Sequence, residues 1–303
     1  MDKIFVPPIK IQGIKTKLIP LIAKNIIIEK ETTWIEPFMG SGVVGFNLAP
    51  KNAIFADINP YLIQFYKAIQ NKEITATIAR LFLEAEGEKL KVGDADYYYE
   101  VRNRFNLEHN PLDFLFLNRS CFNGMIRFNK DGLFNVPYGH KPERFAKAYI
   151  TKIVNQISFV ADRILHSNWQ FLNIPFSDAI AIAMPNAFIY CDPPYIGRHV
   201  DYFDSWDEDD EIKLHDSLVS SGAKFMVSTW DHNQYRTNEY LTRCWSDCIK
   251  VNQDHFYFIG AKEDNRVPMV EALLMNYKIG VSSKGNQKTE TTVQRKLPFE
   301  CSY

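Results

Sequence analysis

The chain has no long apolar run. Its densest stretches, Ile26 to Ile28 and Ala179 to Met184, are far shorter than the roughly 18 residues that a membrane-crossing helix requires, so no span is expected. Cysteine is sparse. Cys121, Cys191, Cys244, Cys248 and Cys301 are odd in number and scattered, without a paired C-x-x-C frame, which excludes a disulfide scaffold and a zinc ribbon. The H-x-E and P-C-x-x-C pair of a zinc base deaminase is absent too, and no metal is expected. Net charge is nearly missing: 35 Lys and Arg against 36 Asp and Glu leave -1, too little for a protein that coats nucleic acid by bulk electrostatics. The opening MDKIFVPPIK has two prolines where a signal peptide carries its apolar region, so a cytoplasmic protein is expected.

What is present is an ordinary globular composition, 46% hydrophobic and 23% charged, over 303 residues. That length suggests two domains or one core with a large insertion. Short β-branched and aromatic runs bounded by turn residues predict strands at Thr33–Glu36, Ala53–Asp57, Trp169–Asn173, Ala187–Cys191, Lys224–Ser228, Asp254–Ile259 and Val270–Tyr277. Helical periodicity predicts Tyr61–Gln70 and Asp209–Ser221 between them. Strands alternating with helices imply an open, mostly parallel α/β sheet. From 59 to 166 the alternation fails, and the pattern is helical over Ile74–Glu84, Asp96–Asn106 and Arg144–His166, interrupted by a glycine-containing stretch from Cys121 to Gly139. The expected organisation is a sheet domain of residues 1–58 and 167–281, a mainly helical insertion of 59–166, and a polar tail of 282–303.

Charge is uneven along the chain. Between residues 115 and 153, Arg119, Arg127, Lys130, Lys141, Arg144, Lys147 and Lys152 face only Asp131 and Glu143, whereas residues 201 to 211 hold seven acids and no base. Each run reads either as a solvated face or as a contact with a charged partner.

Two motifs carry chemistry. The first strand runs into Glu36-Pro37-Phe38-Met39-Gly40-Ser41-Gly42-Val43-Val44-Gly45, whose glycines satisfy G-x-G-x-x-G, and Asp57 ends the next strand where an acid grips a ribose. A nicotinamide oxidoreductase is therefore one reading. The acid and rigid proline at the corner suit a cationic cofactor better than a pyrophosphate. The second motif is Asp192-Pro193-Pro194-Tyr195 after the fourth strand. Consecutive prolines hold the Asp192 carboxylate and the Pro193 carbonyl in a rigid arc. Two such acceptors suit a conjugated NH2, whose delocalised lone pair needs localising before it attacks. The carboxylate also stabilises positive charge developing on that nitrogen, and Tyr195 offers a ring on which a base stacks.

With these motifs in this order, the chain resembles the DNA adenine N6-methyltransferases of the Dam family, most closely the EcoRV-type modification methylases. The resemblance runs from Phe5-Val6-Pro7-Pro8 to about Tyr277 and includes Gln12-Gly13-Ile14-Lys15-Thr16-Lys17, Ala56-Asp57-Ile58-Asn59, the stretch from Asn118 to Asn129, and Phe134-Asn135-Val136-Pro137-Tyr138-Gly139. It implies a Rossmann-like S-adenosylmethionine-dependent methyltransferase sheet whose helical target-recognition insertion contains a β-hairpin. The cofactor implied is S-adenosyl-L-methionine, held among Gln12, Gly13, Glu36, Pro37, Phe38, Gly40, Gly42, Asp57 (ribose), Ile58 and Asp178 (adenine amine), with Lys15 and Lys17 beside either the cofactor or adjacent DNA. Asp192, Pro193, Pro194 and Tyr195 are implied to be catalytic on a flipped adenine.

Double-stranded DNA is the implied partner. Arg119, Lys130, Lys141, Arg144 and Lys147 are candidates for phosphate, and Phe122, Asn123, Gly124, Met125, Arg127, Asn129 and Asn135 for the hairpin that enters or reads the duplex, with His199 in a loop over the base. The resemblance implies a GATATC or GATC-like target, a possible companion restriction endonuclease, and a monomer or weak dimer. A cytosine-N4 methylase and a non-enzymatic DNA-binding module are the other readings.

Overall fold

A computed structural model describes residues 4–26, 28–196, 206–256 and 268–278. In chain order the elements are α1 (Ile19–Lys24), β1 (Thr33–Glu36), α2 (Val43–Leu48), β2 (Asn52–Ala56), α3 (Pro60–Gln70), α4 (Ala76–Glu108), α5 (Pro111–Ser120), α6 (Lys147–Leu165), β3 (Asn168–Leu172), α7 (Phe176–Ala181), β4 (Phe188–Cys191), α8 (Glu208–Ser221), β5 (Lys224–Asn233), α9 (Tyr240–Arg243), β6 (Ile249–Phe256) and β7 (Pro268–Met275). The seven strands form one sheet in the order β3-β2-β1-β4-β5-β7-β6. Strands β1 to β5 pair in parallel, and β7 enters antiparallel between β5 and β6. The order reverses between β1 and β4, which opens a crevice at the carboxyl ends of those strands, where α/β sheets bind ligands.

Alternate residues of each strand supply two cores. Trp34, Phe55, Trp169, Phe188, Tyr190, Met226 and Leu273 face one cluster. Ile35, Ile189, Cys191, Phe225, Val227 and Leu274 face the other, with Leu214 and Leu218 of α8. Burial on both faces explains why β4 reads as an unbroken apolar run. The first cluster also takes in Leu62, Phe65, Leu83, Tyr98, Phe105, Phe114 and Ile157 from α3 to α6, so the helices between β2 and β3 share a core with the sheet.

Three local expectations change. Strand β6 begins at Ile249, before the predicted Asp254, because it pairs with β7 from Ile249 opposite Met275 to Phe256 opposite Pro268; residues 257–259 lie outside the described residues. Helix α4 joins two predicted helices across a break at Asp94, whose φ is 45°. Helix α5 was hidden because Asp113 to Ser120 are all buried, and a helix buried all round shows no amphipathic face. The acidic run partly resolves into a helix start: Asp207 caps α8 through a capping box with Asp210, and four acids occupy its first turn, where the helix dipole favours them.

Candidate active site

The glycine loop closes the carboxyl end of β1. Gly40 and Gly42 have φ of 47° and 71°, a left-handed conformation that admits glycine without strain. Gly45 lies in the first turn of α2, where a Cβ would be 2.3 Å from the Phe55 ring and 2.6 Å from Glu36 Oε2. The predicted cation partner Glu36 is 2% exposed. Its Oε2 accepts from Trp34 Nε1 at 3.0 Å and from the Gly45 amide at 3.1 Å, so its contacts are within the loop and strand. Burial pushes its carboxyl up to about 8, with Asp192 and Asp57 adding repulsion.

Asp57 lies just beyond β2. Its Oδ2 accepts from the Gly40 amide at 3.0 Å and its Oδ1 from the Asn59 amide at 2.9 Å, and burial pushes it up to about 6. A carboxylate has about four lone-pair sites, so capacity remains for ribose hydroxyls. Nearby, Phe38 stacks on Phe176 at 5.3 Å and meets Trp206 edge-on at 5.5 Å. Trp206 is anchored by Nε1 donating to Glu211 Oε2 at 2.7 Å. Asp178 is exposed on the first turn of α7, two residues from Phe176. Pro37 is buried, whereas Ile58, Gln12 and Gly13 are exposed. An aromatic face, an acid at the end of β2 and a loop of left-handed glycines together fit an adenosine-bearing cofactor.

The tetrapeptide follows β4 directly. Ser228 of β5 donates to Asp192 Oδ1 at 2.8 Å, and Tyr190 donates to Ser228 Oγ at 3.2 Å. Lys15, only 4% exposed, places Nζ 3.0 Å from the same Oδ1 and donates to the Gly13 carbonyl at 2.9 Å. The same ammonium lies 4.8 Å from the centroid of the Tyr195 ring. Tyr195 packs with Trp230, and its hydroxyl reaches Glu271 Oε1 at 3.4 Å. Pro193 is buried and Pro194 half-buried. The segment around Lys15 is thus brought to the Asp192–Tyr195 tetrapeptide, while Lys17 is exposed.

Ser228, Trp230 and Glu271 were not foreseen. They sit on β5 and β7, whose sequences read as core strands, and only the pairing of those strands brings them beside β4. A register irregularity between Trp230 and His232 turns Asp231 into a polar cluster, where it accepts from Lys250 at 3.0 Å and Asn252 at 2.5 Å.

The basic stretch forms an irregular antiparallel ribbon. Cys121 bridges Tyr138 and Phe128 bridges Phe134, with the Asn135 amide donating to the Arg127 carbonyl at 3.1 Å. Phe122, in a short 3-10 turn where the ribbon leaves α5, is 50% exposed, and Asn123 beside it is exposed with φ of 55°. Gly124 is buried, and Met125 packs against the core. Arg127 Nε donates to Asn135 Oδ1 at 2.8 Å. Asn129 instead closes a turn, its Oδ1 accepting from the Asp131 and Leu133 amides at 3.0 and 2.9 Å. Lys130, Lys141 and Lys147 are exposed.

Two of the residues expected at phosphate, Arg119 and Arg144, have partners inside the protein. Arg119 is 8% exposed, donating to the Pro8 carbonyl and to Gln156 Oε1. Arg144 is half-buried, donating to the carbonyls of Arg119 and Cys121 at 3.2 and 3.1 Å. Arg119 thus ties α5 to the N-terminal segment and to α6, and Arg144 supplies donors to carbonyls left free where α5 ends and the ribbon begins. His199 lies outside the described residues. Among the described residues, no group of three or more His, Cys, Asp or Glu is placed to hold a metal, and no helix is long and apolar enough to cross a membrane.

Comparison with known proteins agrees with this geometry. A family model described as D12 class N6 adenine-specific DNA methyltransferase matches residues 12–257. The chain is 33% identical to the type II methyltransferase M.MjaIII of Methanocaldococcus jannaschii, over 89% of this chain and 99% of that protein. It is 28% identical to the DNA adenine methylase of Escherichia coli K12, over 82% of this chain and 87% of that one. The type II methyltransferase M.FokI of Planomicrobium okeanokoites is 27% identical over 89% of this chain, which spans only 42% of that longer protein.

Proposed function

The chain belongs to the D12 class N6 adenine-specific DNA methyltransferases, and from that premise we propose that it methylates the N6 amine of an adenine flipped out of duplex DNA, using S-adenosylmethionine, within GATATC or a GATC-like site. The observation that carries this reading is Asp192, fixed by Ser228 at the end of β4 beside the Tyr195 ring. A nicotinamide oxidoreductase has no need for such an acceptor.

In this reading Asp57 binds the ribose hydroxyls of the cofactor, Asp178 its adenine amine, and Phe38, Phe176 and Trp206 the face of its adenine. The backbone of Gly40 and Gly42 lets the cofactor approach closely. When bound, S-adenosylmethionine supplies a methyl group on a sulfonium, and sulfur is a good leaving group. Asp192 accepts one N–H of the target amine and the Pro193 carbonyl accepts the other, which draws the nitrogen lone pair out of the ring and toward the methyl. The Asp192 carboxylate would offset the positive charge developing on nitrogen, and the proton this nitrogen gives up would pass along its hydrogen bond to Asp192 and from there to water. Tyr195 stacks on the base, with Pro193 buried beside it. No covalent bond to the protein is required.

Residues 1–58 and 167–281 supply the cofactor site and chemistry in this proposal, and 59–166 the target recognition. Phe122 and Asn123 enter or border the gap left by the base, Arg127 reads a base edge, and Lys130, Lys141 and Lys147 meet phosphates. A companion endonuclease of the same site fits the naming of two relatives as type II methyltransferases.

The test is transfer of labelled methyl to duplexes containing GATATC, GATC alone, or neither, with the product nucleoside identified by mass spectrometry. N6-methyladenine confined to the first duplex supports the full reading, and label in the second as well assigns a GATC-like target. Cofactor binding without label in any duplex sinks the substrate assignment.

A further inference from the structure

The lysine on the catalytic carboxylate carries an inference that rests on the function proposed above. Lys15 Nζ is 3.0 Å from Asp192 Oδ1 and 4.8 Å from the centre of the Tyr195 ring. These are the acceptor and the stacking face assigned to the target adenine. Tyr195 itself is 8% exposed, so the ring does not offer a free face while the ammonium lies against it. A base seated with its amine on Asp192 and its ring on Tyr195 requires the volume that the ammonium holds.

The strap bearing Lys15 is pinned on both sides of it. Asn118 of α5 holds Lys10 by two hydrogen bonds, its Oδ1 taking the amide at 2.8 Å and its Nδ2 reaching the carbonyl at 2.9 Å. The Leu18 amide bonds the Lys15 carbonyl at 2.9 Å as α1 begins. Between these points lies Gly13, exposed and at φ of 75°, whose carbonyl takes the ammonium. The side chain is thus the movable part, on a strap that stays fastened.

We infer that Lys15 is a charge-reading occupant of the target-amine seat: it holds Asp192 in the free enzyme, withdraws when a sulfonium donor is bound, and returns against the uncharged sulfur of the product, S-adenosylhomocysteine. The reason is electrostatic. An in-line transfer places the amine about 3–3.5 Å from the methyl carbon, so an ammonium in the amine seat would lie roughly 5 Å from a sulfonium, where like charges repel strongly outside bulk water. After transfer the sulfur is neutral and that repulsion is gone. Lys15 therefore favours the product complex over the donor complex in the absence of DNA, and its removal shifts the preference toward the donor.

Calorimetric titration of S-adenosylmethionine and S-adenosylhomocysteine into the full chain without DNA tests this. Lys15→Met keeps the stem and removes the charge, and the ratio of donor affinity to product affinity is expected to rise about tenfold over the unsubstituted protein. Lys15→Arg keeps the charge and is expected to leave the ratio within about twofold. An unchanged ratio in Lys15→Met, or the same shift in both variants, overturns the inference. If the unsubstituted protein binds neither ligand, the proposed function itself fails, and the two failures are thereby distinguished. A second measurement needs no variant: acylation of Lys15 by an amine-reactive ester, read by peptide mass spectrometry, should be slow in the free and product-bound protein and several-fold faster with S-adenosylmethionine. Equal rates in all three states refute the withdrawal.

Discussion

Along the carboxyl edge of the sheet the charged groups are acidic and largely withdrawn from water, whereas along the ribbon after α5 the lysines stand exposed. Glu36, Asp231 and Glu271 are buried and Asp57 and Asp192 half-buried, with Lys15 on Asp192, while Lys130, Lys141 and Lys147 lie open to solvent. A net charge of -1 conceals this separation. Acids taken out of water must be satisfied by internal donors, and the loop amides, Trp34, Ser228 and Lys15 serve that purpose. Desolvation then makes those acids sensitive to a cation or an amine that arrives later. Exposed cations interact more weakly, each screened by salt, and suit a polyanion that touches many of them at once. The two regions thus differ in how much one residue matters.

The strongest break in this comparison is Asp192→Ala. It removes the proposed amine acceptor and leaves the buried Lys15 ammonium without its carboxylate partner. Methyl transfer is expected to fall by about a thousandfold or more, as when an electrostatic stabiliser of a transition state is lost. Affinity for S-adenosylhomocysteine and for duplex DNA should remain within a few-fold. Single-turnover transfer together with calorimetry checks this, and near-normal turnover rules out the assigned role.

Glu36 gives the next effect, on stability. Its carboxyl has an ordinary value of 4.5 and is pushed up to about 8 by burial. Between those pH values the unfolded chain has released the proton and the folded chain has kept it. The folded state therefore loses stability as pH rises through that window and holds the full contribution below it. Asp57 acts in the same direction between 3.8 and about 6. Denaturant unfolding at pH 5 and pH 8 should show a steeper decline in the unsubstituted protein than in Glu36→Gln, the difference being of order a few kcal/mol. Parallel pH profiles would mean that Glu36 ionises freely in the fold.

How much of this was legible follows the same divide. Local rules found the parallel strands, because their β-branched and aromatic runs end at turn residues whatever surrounds them, and found the two motifs because rigid backbone is written in Gly40, Gly42, Pro193 and Pro194. The glycine pattern alone also fitted a nicotinamide site, and the match at residues 12–257 decides between them. What the sequence hid depends on partners far along the chain. Lys15 meets Asp192 across 177 positions (192 minus 15), and Ser228 meets it through β4–β5 pairing. Arg119 and Arg144 looked like surface cations because charge is read from composition, while their burial against Pro8, Gln156 and Cys121 is set by tertiary packing. Helix α5 escaped because burial on all sides erases periodicity.

On the ribbon the expected effects are smaller and can be sorted. Arg127 is pre-oriented by Asn135, with Nε on Oδ1 at 2.8 Å. Arg127→Ala should weaken discrimination at a single base pair by about 1–3 kcal/mol in competition against singly substituted sites. A loss spread evenly over all sequences would move it to the phosphate group. Asn135→Ala frees the guanidinium without removing it and should produce the same pattern at lower amplitude.

The smallest effect separates a surface cation from a buried one. Lys141 is exposed, so Lys141→Ala should leave folding unchanged and lower the slope of log affinity against log salt by about 0.9, the value for one released counterion. Arg119→Ala should do the reverse. Its guanidinium holds the Pro8 carbonyl and Gln156 inside the protein, so the loss should appear as a lower unfolding midpoint, with the salt slope of the folded fraction unaltered. If Arg119→Ala instead changed the salt slope while stability held, the arginine must leave its internal partners on binding, and the boundary between the buried and exposed charges would lie one residue deeper than the free protein places it.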